Sequence, residues 1–116
     1  MSRTQYKIFN MEHTIVEDRY LIRGDIIRTP HSNHQDSHAY LVIETNSDER
    51  PLGMMNMLGH KAGLTYLRFP AESSGADVAG TDAVIDLLWL EKNWDKWVAR
   101  GRFEDAIFLR ETSRMI

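Results

Sequence analysis

The chain is 116 residues long, 42 % hydrophobic and 27 % charged, which is enough for one domain spanning residues 1–116 and too little for two. It contains no cysteine, so disulfides, thiolate nucleophiles and cysteine-ligated zinc are excluded, and a reducing compartment suits it. Fourteen Lys and Arg against seventeen Asp and Glu give a net charge of −3. That is the wrong sign for a domain whose main work is gripping phosphate backbones, and no direct nucleic-acid partner is expected. The opening run, Met1 to Lys7, lacks the apolar stretch of a signal peptide. No segment approaches the length of a membrane span, so the expectation is a cytoplasmic protein without a membrane partner.

In chain order, the first elements read as strands. Tyr6 and Ile8, then Tyr20-Leu21-Ile22 and Ile26-Ile27, are short β-prone runs, with Gly24-Asp25 either turning a hairpin or marking a bulge in one long strand. Residues 29–38, rich in Pro, Ser, Asn and Asp, form a loop. Ala39 to Thr45 is the strongest strand. Leu52 to Leu58 and Leu64 to Phe69 are two more, joined by Gly59-His60-Lys61-Ala62-Gly63, which predicts a hairpin with at least one residue at positive φ.

Pro70 closes that run, and a loop of small residues leads to the one helix. Thr81 is its expected N-cap and Gly101 its expected C′ residue. Ala83, Leu87, Leu90, Trp94 and Trp97 recur at steps of four and three, making an apolar stripe widened by Val84, Leu88 and Val98. Ala106 to Arg110 reads as a last strand. The predicted fold class is α+β, a mostly antiparallel sheet with one main helix from the C-terminal half packed on it.

Four side chains invite a metal. His31, His34 and His38 with Asp36 are a chemically acceptable zinc set, and they define one alternative reading, a small metal-dependent enzyme. The surrounding loop composition fixes none of them rigidly, so the same residues serve equally as a contact surface. Gly59 to Gly63 fails the phosphate-loop pattern in both spacing and lysine position. No G-x-S-x-G elbow frames Ser73 or Ser74. No cofactor is expected.

The helix carries a different signal. A step of 100° per residue sets Ile85 and Trp89 away from the inward stripe. Trp89 is then either covered by residues 71–80 or the C-terminal tail, or exposed as an interface anchor. Asp77, Asp82, Asp86, Glu91 and Asp95 surround it with negative charge. Residues 71–105 hold eight acids against four bases, whereas residues 1–70 hold eight of each.

Gly59-His60-Lys61-Ala62-Gly63-Leu64, Phe69-Pro70-Ala71-Glu72-Ser73 and above all Trp89-Leu90-Glu91-Lys92-Asn93-Trp94-Asp95-Lys96-Trp97-Val98 resemble the pattern of small immunity proteins of bacterial polymorphic-toxin and contact-dependent growth-inhibition systems. The resemblance covers about the last half of the chain. It implies a non-enzymatic α+β protein whose partner is a cognate toxin domain, often a nuclease, which it blocks by binding. An acidic inhibitor has the right sign to capture a basic nuclease. The toxin contacts expected on this reading are Asp82, Asp86, Trp89 and Lys92 on the helix and His31, His34 and Asp36 in the loop.

Overall fold

Alternation of apolar and polar residues writes most of this structure as sheet. The computed structural model describes residues 6–10, 15–30, 37–45, 52–74, 84–99 and 101–110. Their strands are β1 (Tyr6–Asn10), β2 (Ile15–Asp18), β3 (Tyr20–Leu21), β4 (Ile26–Pro30), β5 (Ser37–Glu44), β6 (Leu52–Asn56), β7 (Thr65–Arg68), β8 (Ile85–Asp86) and β9 (Ile107–Arg110). One α-helix, α1, spans Leu87–Trp97, and short 3₁₀ turns cover Ala71–Ser74 and Phe103–Asp105. The described fold is α+β, as expected.

Seven strands form one sheet in the order β2-β1-β9-β4-β5-β6-β7, and β3 pairs with β8 in a small second sheet. All neighbours in the large sheet run antiparallel except β1 and β9, which are parallel. The late strand β9 therefore lies between the N-terminal hairpin β1–β2 and the meander β4–β7. In the hairpin between β6 and β7, Gly59 and Gly63 adopt φ of 80° and 91°, the positive values the glycine spacing predicted. Gly24 and Asp25 do neither of the two things expected of them. They turn the chain from β3 in the small sheet to β4 in the large one, and those strands are not partners.

Residues on one face of the sheet build the core. Ile8, Phe108, Ile27, Tyr40, Val42 and Met54 come from the sheet, and Leu87, Leu90, Trp94 and Val98 from the helix side. Leu21, Ile85 and Phe69 close the same cluster. Leu87, Leu90, Trp94 and Val98 of the helical stripe thus pack where its periodicity placed them, Ala83 lies outside the described residues, and Ile85, expected on the far side of a longer helix, is fully buried as a strand residue.

That difference follows from where the helix begins. Thr81 lies outside the described residues; the observed N-cap is Asp86, whose carboxylate accepts the Leu88 N–H at 3.0 Å. The same carboxylate holds Arg19 through two bonds of 2.9 Å, and Ile85–Asp86 pairs with Tyr20–Leu21. A β-branched residue paired to a strand, followed by a doubly used carboxylate, favours extended backbone up to residue 86. At the other end the Trp94 carbonyl accepts from both Val98 and Ala99. Ala99, rather than glycine, then takes φ 53°, while Gly101 adopts its own positive φ of 68° two residues later.

One buried ion pair ties the sheet's centre to the β3–β4 turn. Arg110, at the end of β9, donates to the two Asp25 oxygens at 3.0 and 2.9 Å and to the Tyr20 carbonyl at 2.9 Å. Asp25 also accepts the Ile22 N–H at 2.9 Å, and its backbone pairs with Val42. Both side chains are almost wholly removed from solvent. Loss of either partner strands a buried charge, so Asp25→Ala is expected to destabilise the protein by about 3–5 kcal/mol in urea unfolding; a loss below about 1 kcal/mol would show the pair to be dispensable. Ala99→Gly relieves a left-handed alanine and is expected to raise stability by about 1 kcal/mol in the same measurement.

Candidate interaction surface

The solvent side of α1 carries two charge stripes at helical i, i+4 spacing: Glu91 with Asp95, and Lys92 with Lys96, all exposed. Beyond the helix, the 3₁₀ turn brings Phe103 and Glu104 back beside the acidic stripe. Glu91, Trp94, Asp95, Arg102, Phe103 and Glu104 line a cleft of about 370 Å³. Its floor is aromatic. Trp94 and Phe103 meet edge to face at 5.5 Å, and Phe103 packs on Tyr6 and Phe108 at 5.9 and 5.7 Å. Trp94 Nε1 donates to the Gly101 carbonyl at 3.2 Å, which fixes the chain exit from the helix over that floor.

The carboxylates of the cleft differ in their attachments. Glu91 accepts the Tyr6 hydroxyl at 2.8 Å. Burial first, then this bond to a negative acceptor, pushes the Tyr6 phenol up to about 12. The Glu104 backbone N–H, and next the Arg102 guanidinium, hold the Glu104 carboxyl below the ordinary glutamate range. Arg102 reaches Glu104 at 3.2 Å and Asp105 at 3.9 Å, all well exposed. Asp95 makes no ion pair with a described residue. Three carboxylates against one guanidinium over an aromatic floor make a site suited to a cationic side chain.

The expected contact residues fall into three groups. Lys92 is exposed on α1, beside the acidic stripe. Asp86 is a correction: it is 2 % exposed, spent on the N-cap and on Arg19, and offers no surface for a partner. Trp89 is half-buried, its ring edge-on to Phe69 at 6.2 Å and tilted against Trp97 at 6.2 Å. Its Nε1 donates to Glu72 at 3.1 Å, so the 71–74 turn supplies the cover foreseen for it. Trp97, read as core, is half-buried as well. Asp82, His31, His34 and Asp36 lie outside the described residues.

His38 stands in β5 with its ring stacked on Tyr40 at 6.2 Å. No group of three His, Cys, Asp or Glu arranged to hold a metal occurs among the described residues. Glu104, Arg102 and Phe103 were not singled out from sequence; the only signal for them was the acid pair Glu104-Asp105 following a helix-ending glycine.

The chain's match to known families now bears on this surface. Residues 14–108 match the model of a bacterial immunity-protein family. The chain belongs to that family, Immunity protein 45, which forms part of polymorphic toxin systems. No curated protein and no solved structure matches it. Immunity proteins neutralise cognate toxins by binding them, and they are typically non-enzymatic. That membership favours the non-catalytic reading over the metal-dependent one. Among the described residues no helix is long and apolar enough to cross a membrane.

The Tyr6–Glu91 contact is directly testable. With a folded-state pKa above the unfolded value of 10, Tyr6 contributes stability that is complete below pH 10 and is lost as pH rises towards about 12. Ultraviolet titration of the folded protein is expected to show one tyrosine ionising near that value, and Tyr6→Phe to remove it.

Proposed function

We propose that the chain neutralises a nuclease toxin of a contact-dependent growth-inhibition or related system in the cytoplasm, binding it one-to-one and covering its active site or the path of its substrate. The observation that carries this reading is the acidic cleft beside α1. A nuclease must attract phosphate and so presents lysines and arginines around its active site. An inhibitor that offers Glu91, Asp95 and Glu104 in one concavity draws such a surface in quickly and orients it before close contact. The half-buried ring of Phe103 then receives the aliphatic stem of the incoming cation. Lys92 borders this contact on α1, and Trp89, on the other flank of the helix against Phe69 and Glu72, joins it with Asp82, His31, His34 and Asp36 on sequence grounds alone.

Co-expression with the toxin domain encoded beside the gene tests the proposal in cells, where growth is expected only with the immunity protein present. In vitro, association with that domain is expected to slow as salt rises. Asp95→Lys is expected to cut the association rate by about tenfold and flatten the salt dependence, with unfolding unchanged. An association rate indifferent to both salt and this reversal would remove the cleft from the interface.

A further inference from the structure

One motif of the sequence has no part in the acidic cleft: the glycine-bounded turn Gly59-His60-Lys61-Ala62-Gly63 and its flanks. It forms the tip of the β6–β7 hairpin and stands clear of the rest of the molecule, since a Cβ at Gly59 or Gly63 would meet nothing within 4 Å. Its shape comes from its own backbone. The Leu64 carbonyl accepts the Asn56 N–H at 2.9 Å and the Asn56 side-chain amide at 3.0 Å, while the Gly63 N–H donates back to the Asn56 carbonyl at 2.7 Å. Two further bonds, from the Ala62 N–H to the Gly59 carbonyl and from the Leu64 N–H to the Lys61 carbonyl, close the turn. A tip built this way loses little conformational freedom when it meets a partner. What it presents is apolar and cationic. Leu58 is 53 % exposed and Leu64 59 %. His60 and Lys61 are exposed too, and among the described residues neither side chain has a hydrogen-bond or ion-pair partner. Residues 57–68 contain no Asp or Glu, although the chain as a whole is acidic.

Strand register ties the tip to the cleft. The Met57 N–H donates to the Ala39 carbonyl at 2.9 Å. Ala39 lies opposite Arg28, and Arg28 opposite Ile107 at the start of β9. The tip therefore projects from the same end of the sheet as the turn that carries Phe103 and Glu104 into the cleft. Three strand spacings, about 14 Å in all, separate β6 from β9, so one partner of ordinary size covers both features. We propose that the tip enters a carboxylate-lined catalytic pocket of the toxin, Lys61 Nζ standing where a divalent metal ion is held and Leu58 and Leu64 packing on the pocket's apolar rim. This rests on the nuclease reading above and supplies its second contact. Charge selects the occupant. A basic toxin surface that suits Glu91, Asp95 and Glu104 repels an acid-free tip, so the tip requires the opposite sign elsewhere on the same partner. An enzyme that cleaves phosphodiesters with metal ions offers that pattern: Asp and Glu grouped at the centre to hold the ions, Lys and Arg around them to hold the substrate backbone. An acidic cleft beside a basic tip is the complement of such a surface, and a lysine ammonium, a compact charge on a long stem, reaches its centre.

Affinity of the full chain for the toxin domain encoded beside the gene tests the proposal. Lys61→Glu and Leu58→Glu alter exposed positions. Each is expected to keep the folded circular-dichroism spectrum and the urea midpoint, and to raise the Kd of the complex at least about tenfold. Lys61→Gln gives a readout that a merely structural tip does not move. Exchanging NaCl for MgCl2 at constant ionic strength is expected to weaken the wild-type complex, because Mg²⁺ and Lys61 compete for the same carboxylates, and to leave the Lys61→Gln complex unchanged. Wild-type affinity in Lys61→Glu overturns the proposal, and so does a wild-type complex indifferent to Mg²⁺. Loss of affinity in Asp95→Lys with none in Lys61→Glu removes the tip and leaves the cleft in the interface. Loss in Lys61→Glu with none in Asp95→Lys, together with the Mg²⁺ competition, keeps the tip and removes the cleft. A wild-type chain that does not bind the toxin at all overturns both readings.

Discussion

Arg110 spends its guanidinium on three acceptors at once, drawn from two parts of the chain's early architecture. Two are the oxygens of Asp25 in the β3–β4 turn; the third is the carbonyl of Tyr20 in the small sheet. Asp25 in turn fixes the Ile22 and Val42 backbone. A guanidinium buried this deeply is tolerable only because its hydrogen-bonding geometry is bidentate and its partner carries the opposite charge. The pair determines where β9 stops, how β4 leaves the turn and how the small sheet sits beside the large one. Everything that shapes the acidic cleft depends on that placement, because Phe103 to Asp105 immediately precede β9.

The second constraint is the doubly used carboxylate of Asp86. It caps α1 and clamps Arg19, coupling the helix start to the segment just before β3. Arg19 also lies over the Tyr20 ring at 5.6 Å, and its backbone carbonyl accepts the Leu87 N–H at 2.8 Å. The two ion pairs therefore grip β3 from both sides, Arg19 preceding it and Asp25 following it. A two-residue strand has little pairing energy of its own, and these flanking contacts supply what the short ladder lacks.

Much of the fold was legible because its signals were local. The meander β5–β6–β7 showed in period-two alternation and in two glycines at the spacing a left-handed turn needs. The helical stripe showed in steps of three and four. What escaped was decided at long range. Thr81 and Asp86 offer the same capping chemistry, and the cap at Asp86 goes with long-range contacts, the pairing of Ile85–Asp86 with Tyr20–Leu21 and the Arg19 ion pair 67 residues away. The same ion pair removed Asp86 from the surface, so a residue expected as a toxin contact proved structural. The strands β3 and β8 are too short to show a period. Of the cleft, Glu91 and Asp95 were visible as acidic charge on the helix, but its far wall depends on how the chain returns after Gly101.

The position of β9 also governs when this molecule comes into being. Its neighbours β1 and β4 both lie within the first 30 residues, and in the sheet they are joined only through the strand inserted between them. During synthesis the ribosome delivers β1, β4, β5 and β6 long before residue 107, and the growing chain holds two unfinished half-sheets with open edges. Closure waits for a contact spanning nearly the whole described sequence, the kind that sets in slowly. A nascent immunity protein therefore lacks its complete sheet until β9 has been made.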